Sequence, residues 1–291
     1  MPRKFFEAAA TVPLLASEAM APDPTTLPGL LADLEAEHAD LEGLLGPLDE
    51  ASWGFDTPAQ GWAVRDQVSH LAFFDDAATM AILDPATFTV TADAALAAGG
   101  DPMEQHLLRG RALPGRDVLA WWQEARHAMV GAARGLDPHV RVPWFGPPMG
   151  ALSFVSARLM ETWAHGQDVA DALGVSRVPT ARLRHIAHLG VRARPFSYVV
   201  HGLEVPGDPV RVELTAPSGE HWEWDGTATS ELVRGSALDF CLVVTQRRHL
   251  SDTRLTVQGP LASQWLAIAQ AFAGPPGTGR RPLEAGPSPA H

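Results

Sequence analysis

Two histidines and a glutamate have the residue types and the spacing needed to bind one divalent metal ion. Glu161 and His165 lie four residues apart in ETWAHGQDVADALG, residues 161–174, a segment with the composition of a helix. Side chains four residues apart share one face of a helix, so both point in the same direction. His70, in the segment RDQVSHLAFFD on another predicted helix, supplies a third candidate ligand. Two imidazoles and one carboxylate are a ligand set typical of catalytic divalent ions, because they leave coordination positions open.

Each of these residues also has an ordinary structural interpretation. Polar pairs four residues apart are common on helix surfaces, so Glu161 could simply pair with Arg158 while His165 is partly exposed. A histidine with apolar neighbours such as Val68 and Leu71 is often a core residue. The metal-site hypothesis therefore requires that two helices of a bundle bring His70 to the other two side chains.

Two further polar residues are candidates for catalysis. Asp168, one turn beyond His165, is expected either to orient an imidazole or contact the substrate, or to form an ordinary ion pair. Arg158 lies on the same stripe of that helix and could bind a carboxylate of the substrate or of a thiol cofactor. His38, on the inner face of the first predicted helix, could reach the same cavity.

The segments that must position these residues form a helical domain over residues 25–200. Their apolar residues recur at spacings of three and four, which indicates amphipathic helices. The predicted helices cover residues 28–48, 62–83, a stretch beginning at Asp101-Pro102, 115–136, 151–173 and 180–194. The simplest arrangement for them is a four-helix bundle with additions.

Residues 203–274 differ in character and predict a small α+β domain. Two alternating stretches, 209–215 and 221–225, predict a hairpin. A helix over 229–245, a short strand over 254–257 and a closing helix over 260–272 are expected to follow. We expect residues 1–24 to form a peripheral extension and the Pro/Gly-rich tail, 275–291, to be disordered.

Composition excludes several classes of function. The formal net charge of −12 argues against nucleic acid or an anionic membrane as the main partner. The chain has no apolar run near the roughly 18 residues that a membrane span requires. The single cysteine, Cys241, excludes an internal disulfide and favours the reducing cytoplasm. Its apolar surroundings in DFCLVV argue against its being a nucleophile. The oligomeric state cannot be predicted from these features.

The two segments that hold the candidate ligands also resemble a known family. GWAVRDQVSHLAFFDD (61–76) and METWAHGQDVADALG (160–174) resemble the DinB-like metal-binding four-helix bundle, and in particular the actinobacterial mycothiol-dependent maleylpyruvate isomerase group. The resemblance places that family's metal ligands on His70, Glu161 and His165. RGSALDFCLVVTQRRH (234–249) is similar to the group's small C-terminal domain, which implies a sterol-carrier-like α+β fold. Ala63 departs from the family pattern, in which a Ser or Thr caps the helix.

This resemblance implies a metal-dependent enzyme in which mycothiol binds the metal as a thiolate and attacks a small electrophilic metabolite. Either an isomerase or an S-transferase would fit. Zinc is the default ion, and other first-row metals suit the same ligands. The expected partners are therefore a small-molecule substrate and a low-molecular-weight thiol. Two alternatives stay open: a thiol-independent hydrolase or isomerase at the same metal, and a non-catalytic protein that binds a metal or another ligand.

Overall fold

The computed structural model describes residues 23, 25–97, 102–226, 230–277 and 279–283, which contain ten α-helices, two 3₁₀ helices and six short strands. The helices are α1 Leu27–Leu45, α2 Val64–Leu83, α3 Pro85–Ala97, α4 Pro102–Arg111, α5 Gly115–Arg134, α6 Ala151–Ala172, α7 Leu183–Arg192, α8 Arg194–Val200, α9 Ala237–Val244 and α10 Pro260–Ile268. The strands are β1 Arg141–Val142, β2 Met149–Gly150, β3 Arg211–Thr215, β4 His221–Trp224, β5 Leu232–Ser236 and β6 Thr256–Gln258. The predicted α+β class is confirmed. Of the predicted N-terminal extension, residues 1–22 and 24 lie outside the described residues.

Helices α1, α2, α5 and α6 form the bundle, in which α2 packs on α5 and α1 packs on α6. The start of α1 is capped by the Thr26 hydroxyl, which accepts a hydrogen bond from the Gly29 amide. Ala63 offers no capping side chain at the start of α2. Instead, Asp66 accepts a hydrogen bond from the Ala63 amide, and Arg111 on α4 binds the same carboxylate. The departure at Ala63 is thus offset by a neighbouring residue.

The small domain is built on a four-stranded sheet in the order β4-β3-β5-β6. Strands β3 and β4 form the predicted antiparallel hairpin, whereas β3 and β5 are parallel. The segment 229–245 was expected to be one helix, and this prediction is wrong for its first half, where β5 precedes α9. Helix α3 and the β1–β2 pair were not predicted either.

The buried apolar residues of the described part form two clusters, of which the larger runs through both domains. It includes Phe154 and Leu159 of α6, Ile186 of α7, and Phe240 and Trp265 of the small domain, all at most 1% exposed. The two domains approach closely where α7 meets α9, since a side chain at Gly190 would overlap Val244. Among the described residues, no helix is both long enough and apolar enough to cross a membrane.

Candidate metal centre

The three predicted ligands converge between α2 and α6. One ligand atom from each of His70, Glu161 and His165 lies within 4.8 Å of the other two. The Nε2 atom of His165 is 3.1 Å from Oε2 of Glu161, and Nε2 of His70 is 3.7 Å from the same oxygen. The ring centroids of the two histidines are 4.4 Å apart. The donor set suits a divalent ion such as Zn²⁺, because it offers two imidazole nitrogens and one carboxylate from rigid helices.

Glu161 is the most accessible of the three side chains. It is 21% exposed, whereas the side chains of His70 and His165 are 8% and 9% exposed. Burial on its own would raise the pKa of Glu161, but the hydrogen bonds and charges of His165 and His70 outweigh it and hold that pKa well below its usual range. The carboxylate is therefore ionised at neutral pH, which is the form that a metal ion binds.

The second nitrogen of His165 contacts a residue that the sequence analysis did not single out. Nδ1 of His165 is 2.5 Å from Oε1 of Gln67, which is fully buried on α2. The amide nitrogen of Gln67 is 2.8 Å from the Thr57 hydroxyl, and that hydroxyl is 2.8 Å from the carbonyl oxygen of Trp62. Gln67 is three residues before His70, so its place on the same helix face was available from the sequence. Thr57 lies in a loop, where no periodic pattern marks it.

Trp62 covers one side of the two histidines. Its ring lies 5.9 Å from the ring of His165 at an interplanar angle of 16°, and 5.3 Å from the ring of His70. The preceding residue, Gly61, has φ = 79°, a left-handed conformation that favours glycine where the chain turns back toward α2. Phe74, one turn beyond His70, lies 4.6 Å from that imidazole, ring to ring. Both candidate imidazoles therefore have aromatic neighbours, Trp62 in each case and Phe74 for His70.

Arg158, predicted as a catalytic residue, is placed in a buried ion pair with Asp75. Its Nε and Nη2 atoms lie 3.0 and 2.9 Å from Oδ1 of Asp75, and both side chains are at most 4% exposed. Burial raises the pKa of Asp75, and the positive charge of Arg158 opposes that rise. The contacts between α2 and α6 pair Gln67 with His165, His70 with Glu161, and Asp75 with Arg158. These helices are thus antiparallel, and the ion pair occupies the layer next to the three candidate ligands.

Asp168, the other predicted catalytic residue, faces the small domain. Its carboxylate lies 2.9 Å from Nη2 of Arg247 and 2.7 Å from Nη2 of Arg280. Nε of Arg247 also donates to the carbonyl of Ala164, next to His165. Arg280 and Leu283, whose amide donates to Asp252, belong to the tail that was expected to be disordered; residues 284–291 lie outside the described part.

His38 and Cys241 are both buried. The His38 ring lies edge-on to Trp122 at 5.7 Å. Burial, followed by the charges of Arg126 and Arg158, lowers the pKa of His38 to about 3. Burial raises the pKa of the Cys241 thiol, which supports its exclusion as a nucleophile.

Two surface cavities are separate from these ligands. One, of about 690 Å³, lies between the end of α1 and the start of α5, where Leu45, Trp53 and Leu113 line it. The other, of about 580 Å³, lies in the small domain beside Ser236 and Asp239. Neither has a candidate ligand in its wall, so the chemistry of the donor set, rather than cavity size, identifies the candidate site.

Comparison with known protein families gives two matches. Residues 34–170 match the family described as the mycothiol maleylpyruvate isomerase N-terminal domain, a range that includes all three candidate ligands. Residues 206–258 match a family described as wyosine base formation. The likeness of the small domain to sterol carriers therefore stays a prediction.

Relatives and solved structures extend these matches over most of the chain. Uncharacterized protein Rv0036c of Mycobacterium tuberculosis strain H37Rv is 45% identical over 250 residues, which is 86% of this chain and 97% of that protein. Uncharacterized protein MT0041 of strain CDC 1551 / Oshkosh matches equally well. The crystal structures of the mycothiol-dependent maleylpyruvate isomerase and of its histidine-to-alanine mutant match with a TM-score of 0.54 and 16% identity. They cover 81% of this chain and 95% of the matched chain, and this likeness is one of fold.

Proposed function

Because residues 34–170 belong to the family of mycothiol maleylpyruvate isomerase N-terminal domains, we propose that the protein is a metal-dependent, mycothiol-assisted enzyme that acts on a small electrophilic metabolite. The reaction is an isomerisation or a transfer of the thiol to the substrate. One observation carries this proposal: donor atoms of His70, Glu161 and His165 lie within 4.8 Å of one another on two packed helices.

His70, Glu161 and His165 are the residues that would hold the ion. A divalent ion bound there supplies a positive charge that lowers the pKa of a coordinated thiol, so that a thiolate is available at neutral pH. Two neutral imidazoles and one carboxylate cancel only one of the two charges of such an ion. Zinc fits this ligand set, and other first-row metals remain candidates.

The residues around the ligands favour chemistry at a sulfur atom in a dry setting. Trp62 lies against both imidazoles and Phe74 against that of His70, so apolar rings cover part of the two candidate ligands. Electrostatic interactions strengthen where water is excluded. In a thiol-assisted isomerisation the thiolate would add to one carbon of a carbon–carbon double bond, whose electron pair moves onto the electron-withdrawing group of the substrate. Rotation about the carbon–carbon bond, which is now single, and return of the electron pair would re-form the double bond and release the thiolate. Atoms and electrons balance without an oxidant or reductant.

The proposed partners are a small-molecule substrate and a low-molecular-weight thiol. Nucleic acid is not among the proposed partners, because a net charge of −12 disfavours binding to its phosphate backbone. One buried thiol in the whole chain accords with a protein that works in the cytoplasm and takes its reactive sulfur from a cofactor.

Metal analysis followed by mycothiol titration tests the proposal. The purified protein should contain about one equivalent of a divalent ion per chain, and His70→Ala should lose it. His185→Ala is the matched control, because His185 also pairs with a carboxylate, Asp33 at 2.8 Å, away from the three candidate ligands. Mycothiol should bind the metal-loaded protein and not the His70→Ala variant. Maleylpyruvate, the substrate in the family's name, is the first compound to assay.

The outcomes separate the alternatives. Stoichiometric metal without mycothiol binding, but with turnover, would favour a thiol-independent enzyme. Metal without thiol binding and without turnover of maleylpyruvate or related cis-enone acids would favour a binding protein. Absence of metal from a correctly folded protein would overturn the proposal.

A further inference from the structure

A chain of three hydrogen bonds connects a backbone carbonyl to the imidazole of His165. It runs from the carbonyl of Trp62 to the Thr57 hydroxyl at 2.8 Å, from there to the Gln67 amide at 2.8 Å, and finally to Nδ1 of His165 at 2.5 Å. The side chains of Thr57, Gln67 and His165 are all more than nine-tenths buried. Ordered, buried polar groups of this kind are expected to satisfy one another, so the direction of each bond can be worked out.

The proton positions follow from the Trp62 carbonyl, which ends the series of hydrogen bonds and can only accept. A carbonyl oxygen has no proton, so the Thr57 hydroxyl must donate to the Trp62 carbonyl. The oxygen of Thr57 is then the acceptor, which requires that the NH₂ group of Gln67 points toward it. The amide oxygen of Gln67 therefore points at His165, and Nδ1 of His165 must carry the proton between them.

We infer that Gln67 and Thr57 are positioning residues that hold the proton of His165 on Nδ1 and so reserve Nε2 for the metal ion. Nε2 faces Glu161 at 3.1 Å, on the side where the three candidate ligands meet. With the amide of Gln67 reversed, its NH₂ group would donate to Nδ1, and the proton of the neutral imidazole would then lie on Nε2. The Thr57 hydroxyl prevents that reversal, since it already donates to the Trp62 carbonyl.

The partner of His165 is an amide rather than a carboxylate, and this affects the ligand. A carboxylate partner makes a coordinated imidazole more basic and a stronger donor. Gln67 is neutral and orients the ring without adding negative charge. The site therefore keeps more of the positive charge of the ion available for a bound thiol, an advantage that rests on the proposed function.

Zinc affinity measured by competition with a chromophoric chelator tests the consequence for the metal. Gln67→Met keeps the length of the side chain but removes both hydrogen bonds, and should weaken zinc binding by about 10- to 100-fold. Thr57→Val removes only the hydroxyl and should weaken binding by a smaller factor. Thr57→Ser keeps the hydroxyl and is the matched control, with an affinity like that of the wild type.

A double-mutant cycle distinguishes positioning from a general loss of structure. If Thr57 acts only through Gln67, Thr57→Val should have no further effect on zinc affinity in the Gln67→Met background. Equal and additive losses in the two backgrounds would overturn the inference. Wild-type affinity in the Gln67→Met variant would overturn it as well.

The position of the proton can be measured without metal. In metal-free protein labelled with ¹⁵N-histidine, Nδ1 of His165 should give a slowly exchanging N–H signal, assigned by its loss in His165→Ala. The signal should persist in Thr57→Ser, weaken in Thr57→Val and disappear in Gln67→Met. Its persistence in Gln67→Met would overturn the inference. Should the wild type bind no divalent ion, the proposed function fails, and this signal still decides whether the hydrogen-bond chain exists.

Discussion

The carboxylate of Asp168 and the guanidinium of Arg247 lie 2.9 Å apart and join α6, which carries Glu161 and His165, to the small domain. Asp168 is only 1% exposed, and Arg280 of the tail binds its other oxygen. Arg247 also donates to the carbonyl of Ala164, the residue before His165. The position of His165 is therefore coupled to the small domain through α6.

Asp168→Ala should destabilise the protein strongly, because it leaves two partly buried arginines without a counterion. We expect the free energy of unfolding to fall by about 3 kcal/mol, as measured by urea denaturation. Arg134→Ala is a suitable control, since its ion pair with Glu35 is exposed and contributes at most about 1 kcal/mol. Equal, small losses in both variants would mean that the ion pairs of Asp168 with Arg247 and Arg280 do not hold the domains together.

The Asp75–Arg158 pair allows a separate test of whether Arg158 takes part in catalysis. Asp75→Ala alone should cost about 3–5 kcal/mol, because it leaves a buried charge unpaired. The double variant Asp75→Ala/Arg158→Met should recover most of that loss, because it removes both charges. Since the contacts of Arg158 are with Asp75, we expect the double variant to keep its turnover within about tenfold. A stable double variant that binds metal but has lost turnover would identify Arg158 as catalytic, as the sequence analysis predicted.

The three candidate metal ligands could be predicted from local patterns in the sequence. Glu161 and His165 share a helix face by their spacing, and the apolar periodicity around His70 placed it on a second helix of the bundle. Gln67 could have been identified by the same reasoning, because it precedes His70 by three residues on the same helix. Its partner Thr57 was not, because the loop that carries it is positioned by tertiary contacts.

Features that depend on distant partners could not be predicted. The role of Asp168 depends on Arg247, which lies 79 residues later in the chain. Strand β5 has a sequence compatible with the helix that follows it, and its extended form depends on parallel pairing with β3. In both cases the local sequence permits two outcomes, and a non-local contact selects one of them.

His38 should make the protein less stable in acid. The unfolded chain binds a proton on His38 near its ordinary pKa of about 6.5, whereas burial lowers the folded pKa to about 3. Between these values the unfolded state binds more protons, so stability falls as pH is lowered from 6.5 toward 3. Among the described residues, no hydrogen-bond partner of His38 Nε2 offsets the cost of burying a protonated imidazole.

Urea denaturation at pH 7 and pH 5 measures this effect. Relative to a His38→Leu variant, the wild type should lose about 2 kcal/mol more of its free energy of unfolding between these two pH values. The comparison removes the contribution of other titrating groups, which both proteins share. Identical pH dependence in the two proteins would show that His38 is accessible to protons in the folded state.

Cys241 provides a test of where the reactive sulfur comes from. Its thiol is fully buried, its Sγ lies 3.5 Å from the carbonyl oxygen of Leu183, and burial raises its pKa. A thiol in this setting has little thiolate at neutral pH and should react with a thiol-specific reagent only when the protein unfolds. The modification rate should therefore rise by orders of magnitude in denaturant.

The Cys241→Ala variant completes this test. Because the proposed nucleophile is the sulfur of mycothiol, the variant should keep its metal content and its mycothiol-dependent turnover. It should lose only about 1 kcal/mol of stability, owing to the small cavity in the core. Cys241→Ser is the control for packing, since it keeps the size of the side chain. If turnover disappears in both variants while they stay folded and bind metal, the protein's own cysteine supplies the sulfur, and the role proposed for mycothiol is wrong.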